Sequence, residues 1–290
     1  MTMFKHAFIV IKDQHQELAP LVRAAECLGK VLSSITIYRH TELVNPKNTE
    51  AWSQWQSTEI ASFKAVLAKF DLLPTLDFIF TAKSFTPQEF EQSLEKSQAE
   101  VVFRLNSGQR FLDGVFGSSF DQYFIADCSV PVWIVKPRRW DDNIEVLACL
   151  DVDDKSEINH KLNKDILQTS EQLGKHLKGQ LHVVDCFWGD VASMSFEVDN
   201  SGRFKQSASV QVQHKDLIQS YIAEYALTQQ SLHIIAGTPD FAIPDTASRL
   251  NAELVVIGNN ADQGIMDRLF GDTAVNLVNN VDCDVLVIKP

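Results

Sequence analysis

Glu253-Leu-Val-Val-Ile-Gly258 and Val285-Leu-Val-Ile-Lys-Pro290, joined through a stretch holding Gly271-Asp272-Thr273, decide the fold of this chain. Leu254 to Ile257 is apolar and β-branched without polar alternation, the pattern of a strand covered on both faces. Gly258 closes that run at the carboxyl end, where open α/β sheets place their ligands. Gly271, followed by Asp272 or Thr273 as an N-cap, opens a helix whose free backbone N–H groups suit an anion. A plain helix cap and tight turn would use the same residues, and spacing alone leaves both readings open.

Upstream, the pattern of apolar run, amphipathic stretch, apolar run recurs. Phe8-Ile-Val-Ile11, Ile35-Thr-Ile-Tyr38, Leu76 to Thr81, Val101-Val-Phe103 and Val132-Trp-Ile-Val135 read as strands. Between them lie helical stripes, among them Leu18, Leu21, Val22, Ala25 and Leu28, closed by Gly29. Another runs from about Asn48 to Leu73, and Thr86-Pro87 opens a further helix with proline at its first position. Strands alternating with helices imply parallel βαβ units and a doubly wound sheet.

The order then starts again. Val146 to Leu150 answers Phe8 to Ile11, Leu173-Gly174-Lys175 answers Leu28-Gly29-Lys30, and Leu181-His-Val-Val184 answers Ile35 to Tyr38. Ala252-Glu253-Leu-Val-Val256 answers Ala99-Glu100-Val-Val-Phe103, Phe270-Gly271-Asp272 answers Phe116-Gly117-Ser118, and the closing Val-Leu-Val-Ile-Lys-Pro290 answers Val-Trp-Ile-Val-Lys-Pro137. A repeat this long is a duplicated domain and no solenoid. The expected α/β fold is therefore two tandem, doubly wound parallel sheets of five strands, helices on both faces, with domains at 1–137 and 144–290. The polar connector Arg138-Arg-Trp-Asp-Asp-Asn143 separates them.

Composition narrows the function. In 290 residues, 26 Lys+Arg against 38 Asp+Glu leave a net charge of −12, which disfavours a nucleic-acid-coating surface. No apolar run approaches the roughly eighteen residues of a membrane span, and the start lacks a secretion signal's pattern, so a cytoplasmic protein with no membrane contact is expected. Five scattered cysteines without a Cys-x-x-Cys pair read as buried reduced thiols, and no Cys/His spacing supports a metal site. The eight histidines share no spacing, and Gly-x-Ser-x-Gly, Walker and Gly-x-Gly-x-x-Gly motifs are missing, so no catalytic residue is assigned. His182 and His233 are expected on a sheet face or in a core, and Trp52, Trp55 and Phe63 in core packing.

These repeated residues resemble the universal stress protein family, over essentially the whole chain and most closely its tandem-domain E-type bacterial members. The resemblance implies a five-stranded parallel sheet and, in nucleotide-binding members, an aspartate after the first strand and a Gly-x-x-Gly-(nine residues)-Gly-Ser/Thr loop after the fourth. Asp151 matches the aspartate, Val183 the position whose backbone meets adenine, and Gly258 the first loop glycine. Ala261 stands at the second glycine, and nine residues on, Gly271 is followed by Asp272 in the Ser/Thr place and then Thr273. Alanine limits close backbone approach to phosphate and a carboxylate repels it. The implied ligand is thus ATP or another adenine nucleotide, with a different small anionic or lipidic ligand left open. In the first half Lys12 replaces the aspartate and Leu105 the first glycine, so that half is expected as a partner for the second in an intramolecular pseudo-dimer, Val132–Val135 lying against Val285–Ile288. Further pairing as a homodimer is left open. A stress-response protein acting by binding is the expectation; a slow metal-dependent nucleotide hydrolase or transferase, and a ligand-free scaffold, are the alternatives.

Overall fold

Apolar runs bury on both faces in the computed structural model, which describes residues 3–12, 18–83, 86–106, 119–187, 208–225, 227–259 and 272–290. The chain divides into a unit of Thr2–Arg139 with Asp284–Val287 and a unit of Trp140–Cys283 with Ile288–Pro290.

The first unit carries β1 (His6–Ile11), α1 (Ala19–Leu28), β2 (Ser34–His40), α2 (Thr49–Ala68), β3 (Thr75–Thr81), α3 (Pro87–Ser97), β4 (Val101–Leu105), α4 (Ser119–Ala126) and β5 (Val132–Val135). Its five strands are parallel in the order β3-β2-β1-β4-β5. The Asp284–Val287 segment continues that sheet antiparallel to β5, with Val285 opposite Ile134, Leu286 opposite Trp133 and Val287 opposite Val132. The expected contact between Val132–Val135 and the last apolar run is present in that register. Phe90 of α3 fills the centre of one face, edge-on to Phe8 and Phe124 at 5.2 Å each. Phe63 is core as expected, but Trp52 and Trp55 are half-buried. Helix α2 seats itself through Phe63, Val66 and Leu67, which leaves Trp55 at the flank, against Phe80 and beneath the Arg39 guanidinium.

The second unit carries β6 (Glu145–Leu150), α5 (Glu157–Leu177), β7 (Gln180–Phe187), α6 (Ala208–Ile222), β8 (Leu232–Ala236), α7 (Pro239–Leu250), β9 (Leu254–Gly258) and α8 (Asp272–Asn280); the closing strand is β10 (Asp284–Ile288). Parallel pairing runs β9-β6-β7-β8. The sequence places Gly174 level with Gly29, where α1 ends, yet α5 continues through Gly174 to Leu177. The nearest atom to a Cβ there is the Gly179 carbonyl at 3.8 Å, so nothing obliges the chain to stop. Lys178, in the left-handed conformation at φ 56°, ends it instead.

Strands β6, β7 and β8 also bring Glu145, His182 and His233 into one line. His182 Nε2 is 2.9 Å from the Glu145 carboxylate and its Nδ1 is 3.2 Å from His233 Nε2. Both contacts are hydrogen bonds when His182 is neutral, donates to Glu145 and accepts from His233. Burial, then His182 and Arg249, hold His233 below the usual histidine range. The unfolded chain therefore takes up this proton at a higher pH than the folded one. Stability is full above about pH 6.5 and falls as pH drops toward the folded value. His233→Gln should flatten the acid side of a melting-temperature profile between pH 8 and pH 5; an unchanged slope would contradict this linkage.

Candidate functional site

In the second unit the chain runs outward from β6 through β7 to β8, then crosses back so that β9 lies on the other side of β6. Strand order reverses between β6 and β9, and open α/β sheets bind ligands beyond the carboxyl ends at such a point. Asp151 follows β6 directly and Gly258 ends β9, so two of the sequence-selected residues border that crevice.

Two buried asparagines one turn apart on α5 fix Asp151. The Asp151 carbonyl accepts from Asn159 Nδ2 at 2.7 Å and from Asn163 Nδ2 at 2.6 Å, while its N–H donates to Asn163 Oδ1 at 3.2 Å. Its carboxylate Oδ1 accepts from the Asp153 and Asp154 N–H groups at 3.1 and 3.3 Å, turning the chain into the Ser156-capped start of α5. Partial burial raises its pKa, and these N–H bonds oppose the shift. Neither asparagine was singled out from sequence. Polar residues at i, i+4 within the apolar stripe of Leu162 and Ile166 were the available signal.

Gly258 owes its identity to packing. A Cβ there would stand 2.5 Å from Leu162 Cδ2 and 3.0 Å from Ile166 Cδ1, so α5 presses directly on the end of β9. Val183 lies inside β7, fully buried and paired with Ala148 on one side and Leu232 on the other. The residues of β7 level with the end of β6 are Asp185, opposite Leu150, and Cys186 after it. Ala261 and Gly271 fall outside the described residues; Asp272 and Thr273 begin α8. The structure thus brings Asp151 and Gly258 to one crevice and sets Val183 deeper in the sheet.

Asp185 was not selected from sequence. It is fully buried, its Oδ2 lies 2.6 Å from His214 Nδ1 on α6, and the other nitrogen of that ring lies 3.2 Å from the exposed Asp153. Burial pushes its carboxyl up to about 6 despite the opposing pull of His214. Asp151 and Asp153 act on it in the raising direction, so this end of the sheet is acidic. Burial also pushes the Cys186 thiol up to about 12, which makes it inert as a nucleophile. Among the described residues no group of three His, Cys, Asp or Glu side chains stands ready to hold a metal, and no helix is long and apolar enough to cross a membrane. An acidic, partly desolvated crevice built from backbone-anchored carboxylates suits hydroxyl and amine donors better than phosphate.

A model described as the universal stress protein family matches residues 154–289. Over its full length the chain is 24% identical to universal stress protein E of Salmonella typhi, spanning 96% of that protein. Among solved structures it is similar to a functionally unknown protein from Pseudomonas aeruginosa, with TM-score 0.72 and 21% identity over 99% of this chain and 93% of the other. It is also similar to a universal stress protein from Archaeoglobus fulgidus, with TM-score 0.65 and 16% identity over 97% and 98% of the two chains. At these identities the structures speak for the fold alone.

Proposed function

Because the chain belongs to the universal stress protein family, we propose that it is a cytoplasmic stress-response protein of two tandem domains, 1–137 and 144–290, acting by binding a small ligand and not by turnover. The observation that carries this reading is the placing of Asp151 and Gly258 at the carboxyl ends of β6 and β9, where the strand order reverses. The ligand is an adenine nucleotide held at its nucleoside end, ribose hydroxyls donating to the Asp151 carboxylate, with Ala261, Gly271, Asp272 and Thr273 as the further candidate positions. The acidic surroundings of Asp151 and the Asp272 substitution both favour few phosphates. Free thiols at all five cysteines fit a reducing compartment.

Calorimetric titration of the full chain with adenosine, AMP and ATP tests this. Saturable binding is expected, tightest for the ligands with fewest phosphates. Asp151→Asn should weaken it by about 10- to 100-fold, the worth of a hydrogen bond to a charged group. No saturable binding of any of the three, together with no small molecule released on denaturation, would remove the reading. Phosphate release from ATP that is measurable in the wild type and lost in Asp151→Ala would favour an enzyme instead.

A further inference from the structure

Helices α5 and α6 cover the same side of the β6-β7-β8 sheet, and neighbouring helices so placed ordinarily close on one another through apolar stripes about 8–10 Å apart, axis to axis. This pair meets through polar and part-exposed side chains instead, His160 of α5 bonding Tyr221 of α6 at 2.7 Å. Helix α5 spends its apolar stripe, Leu162, Ile166 and Leu173, on the sheet. The stripe it shows to α6 is His160, Lys161 and Lys164, at helical spacing on its flank. Helix α6 in turn buries just two of its described side chains, His214 and Ile218. Its Leu217, 39% exposed, and Tyr221 face the opening. What remains between the helices is a groove of about 630 Å³ whose floor includes Val152 and whose end holds Lys155.

That volume lies within the range of small-molecule sites, roughly 300–1,000 Å³. Its chemistry has two parts. The apolar part is Val152, Leu217 and the Tyr221 ring, which sits 5.0 Å from the His160 ring and is joined to it by a 2.7 Å hydrogen bond between Tyr221 Oη and His160 Nδ1. The charged part is Lys155, Lys161 and Lys164, a local excess of cations in a chain of net charge −12. Two acids also line the groove, but Asp154 already accepts the Ser156 N–H at 2.8 Å, and Glu157 lies in the first turn of α5. Such a groove complements a flat apolar body with an anionic head, the body against Tyr221 and Leu217 and the head among the lysines.

We propose that the α5–α6 groove, which adjoins Asp151 through Val152 and Asp154, is a second binding site, for a small aromatic anion bearing a sulfonate or phosphate monoester. The site needs no movement of the sheet, and it offers a physical reason for the charged flank of α5 to face an exposed leucine. Its occupant would bridge α5 to a helix that, among its described side chains, buries only one aliphatic residue and one histidine, and would thereby stabilise α6.

Fluorescence titration of the full chain with 8-anilinonaphthalene-1-sulfonate, with phenyl phosphate and phenol as competitors, tests the assignment. Saturable one-to-one binding is expected, displaced by phenyl phosphate and not by phenol. Lys161→Glu with Lys164→Glu should weaken dye binding by at least about tenfold, since both positions are exposed and the change reverses the local charge. Lys64→Glu with Lys175→Glu makes the same net change at exposed positions away from the groove and should leave binding within about twofold. Tyr221→Leu keeps the apolar volume, removes the stacking ring and should weaken phenyl phosphate binding. Equal dye affinity in the two double variants, or failure of phenyl phosphate to displace the dye, overturns the proposal.

Discussion

Asp284→Ala is expected to destabilise the unit of Thr2–Arg139 and Asp284–Val287 by about 3–5 kcal/mol, the cost of breaking a buried ion pair by removing one of its members. The Asp284 carboxylate has no exposed surface and collects three donors from separate elements: Arg23 of α1 at 2.8 Å, Trp133 Nε1 of β5 at 3.0 Å and the Lys136 N–H at 2.9 Å. Arg23 is itself 4% exposed in its side chain, and donates to the Arg138 carbonyl at 2.7 Å and to Glu26 at 2.9 Å. Burial pushes the Asp284 carboxyl up, and these donors pull it back toward ionisation. Removing the carboxylate takes the buried counter-charge from the guanidinium, which keeps Glu26 and the Arg138 carbonyl, and takes an acceptor from the indole N–H and from a backbone N–H. Asp284→Asn retains an acceptor and should cost less. Replacing both partners by apolar residues, Arg23→Met with Asp284→Leu, should recover much of the loss, because neither then leaves a buried charge. Urea unfolding followed by tryptophan fluorescence reads the result, Trp133 being at the site. A loss under about 1 kcal/mol for Asp284→Ala would show that the pair carries no such role.

The apolar positions of both copies were legible in the sequence because the sheet forces them. Val101 to Phe103 and Leu254 to Val256 are buried on both faces, and the side chains there have little freedom to be anything else. What escaped was held in polar pairs. The alignment that sets Ile35 to Tyr38 beside Leu181 to Val184 also sets Arg39 beside Asp185, and the registers agree: Arg39 is opposite Ile11 and Asp185 opposite Leu150. In the first unit Arg39 pairs with Glu59 of α2 at 2.5 Å, and in the second Asp185 pairs with His214 of α6 at 2.6 Å. Each is a strand end clamped to the following helix, with the sign of the charge on the strand reversed. Matching by residue identity misses a device whose chemistry inverts while its geometry persists. Lys12, in the place of Asp151, follows the same inversion. The first copy is therefore a basic version of the same strand end. Val183 shows the opposite limit. A position chosen by family pattern has its backbone turned to two neighbouring strands, and the level of Asp151 is reached by Asp185 and Cys186 instead.

His214→Ala should loosen α6 and destabilise the second unit by about 3 kcal/mol, the scale of removing one partner from a buried charge pair, and the loss should grow with pH. The helix is seated on the sheet, among its described side chains, by Ile218 and His214 alone. Truncating the histidine removes half of that seat and leaves the Asp185 carboxylate fully buried without the ring at 2.6 Å. The contact with Asp153, an exposed carboxylate at 3.2 Å, adds less than about 1 kcal/mol. The pH sense follows from Asp185, whose carboxyl burial already pushes up to about 6. A group raised in the folded state is held there in its protonated form, and that contribution is lost as pH rises through the folded value. Without His214 the carboxyl moves higher still, so the variant should lie closer to wild type at pH 5 than at pH 8. Asp185→Asn removes the charge that the histidine compensates. Added to His214→Ala it should restore part of the stability at pH 8, although alone it weakens the clamp. Hydrogen exchange along 208–222 should rise in His214→Ala and fall back in the double variant. If Asp185→Asn adds its own loss to that of His214→Ala at pH 8, the two side chains act independently and the strand-to-helix clamp is not what holds α6.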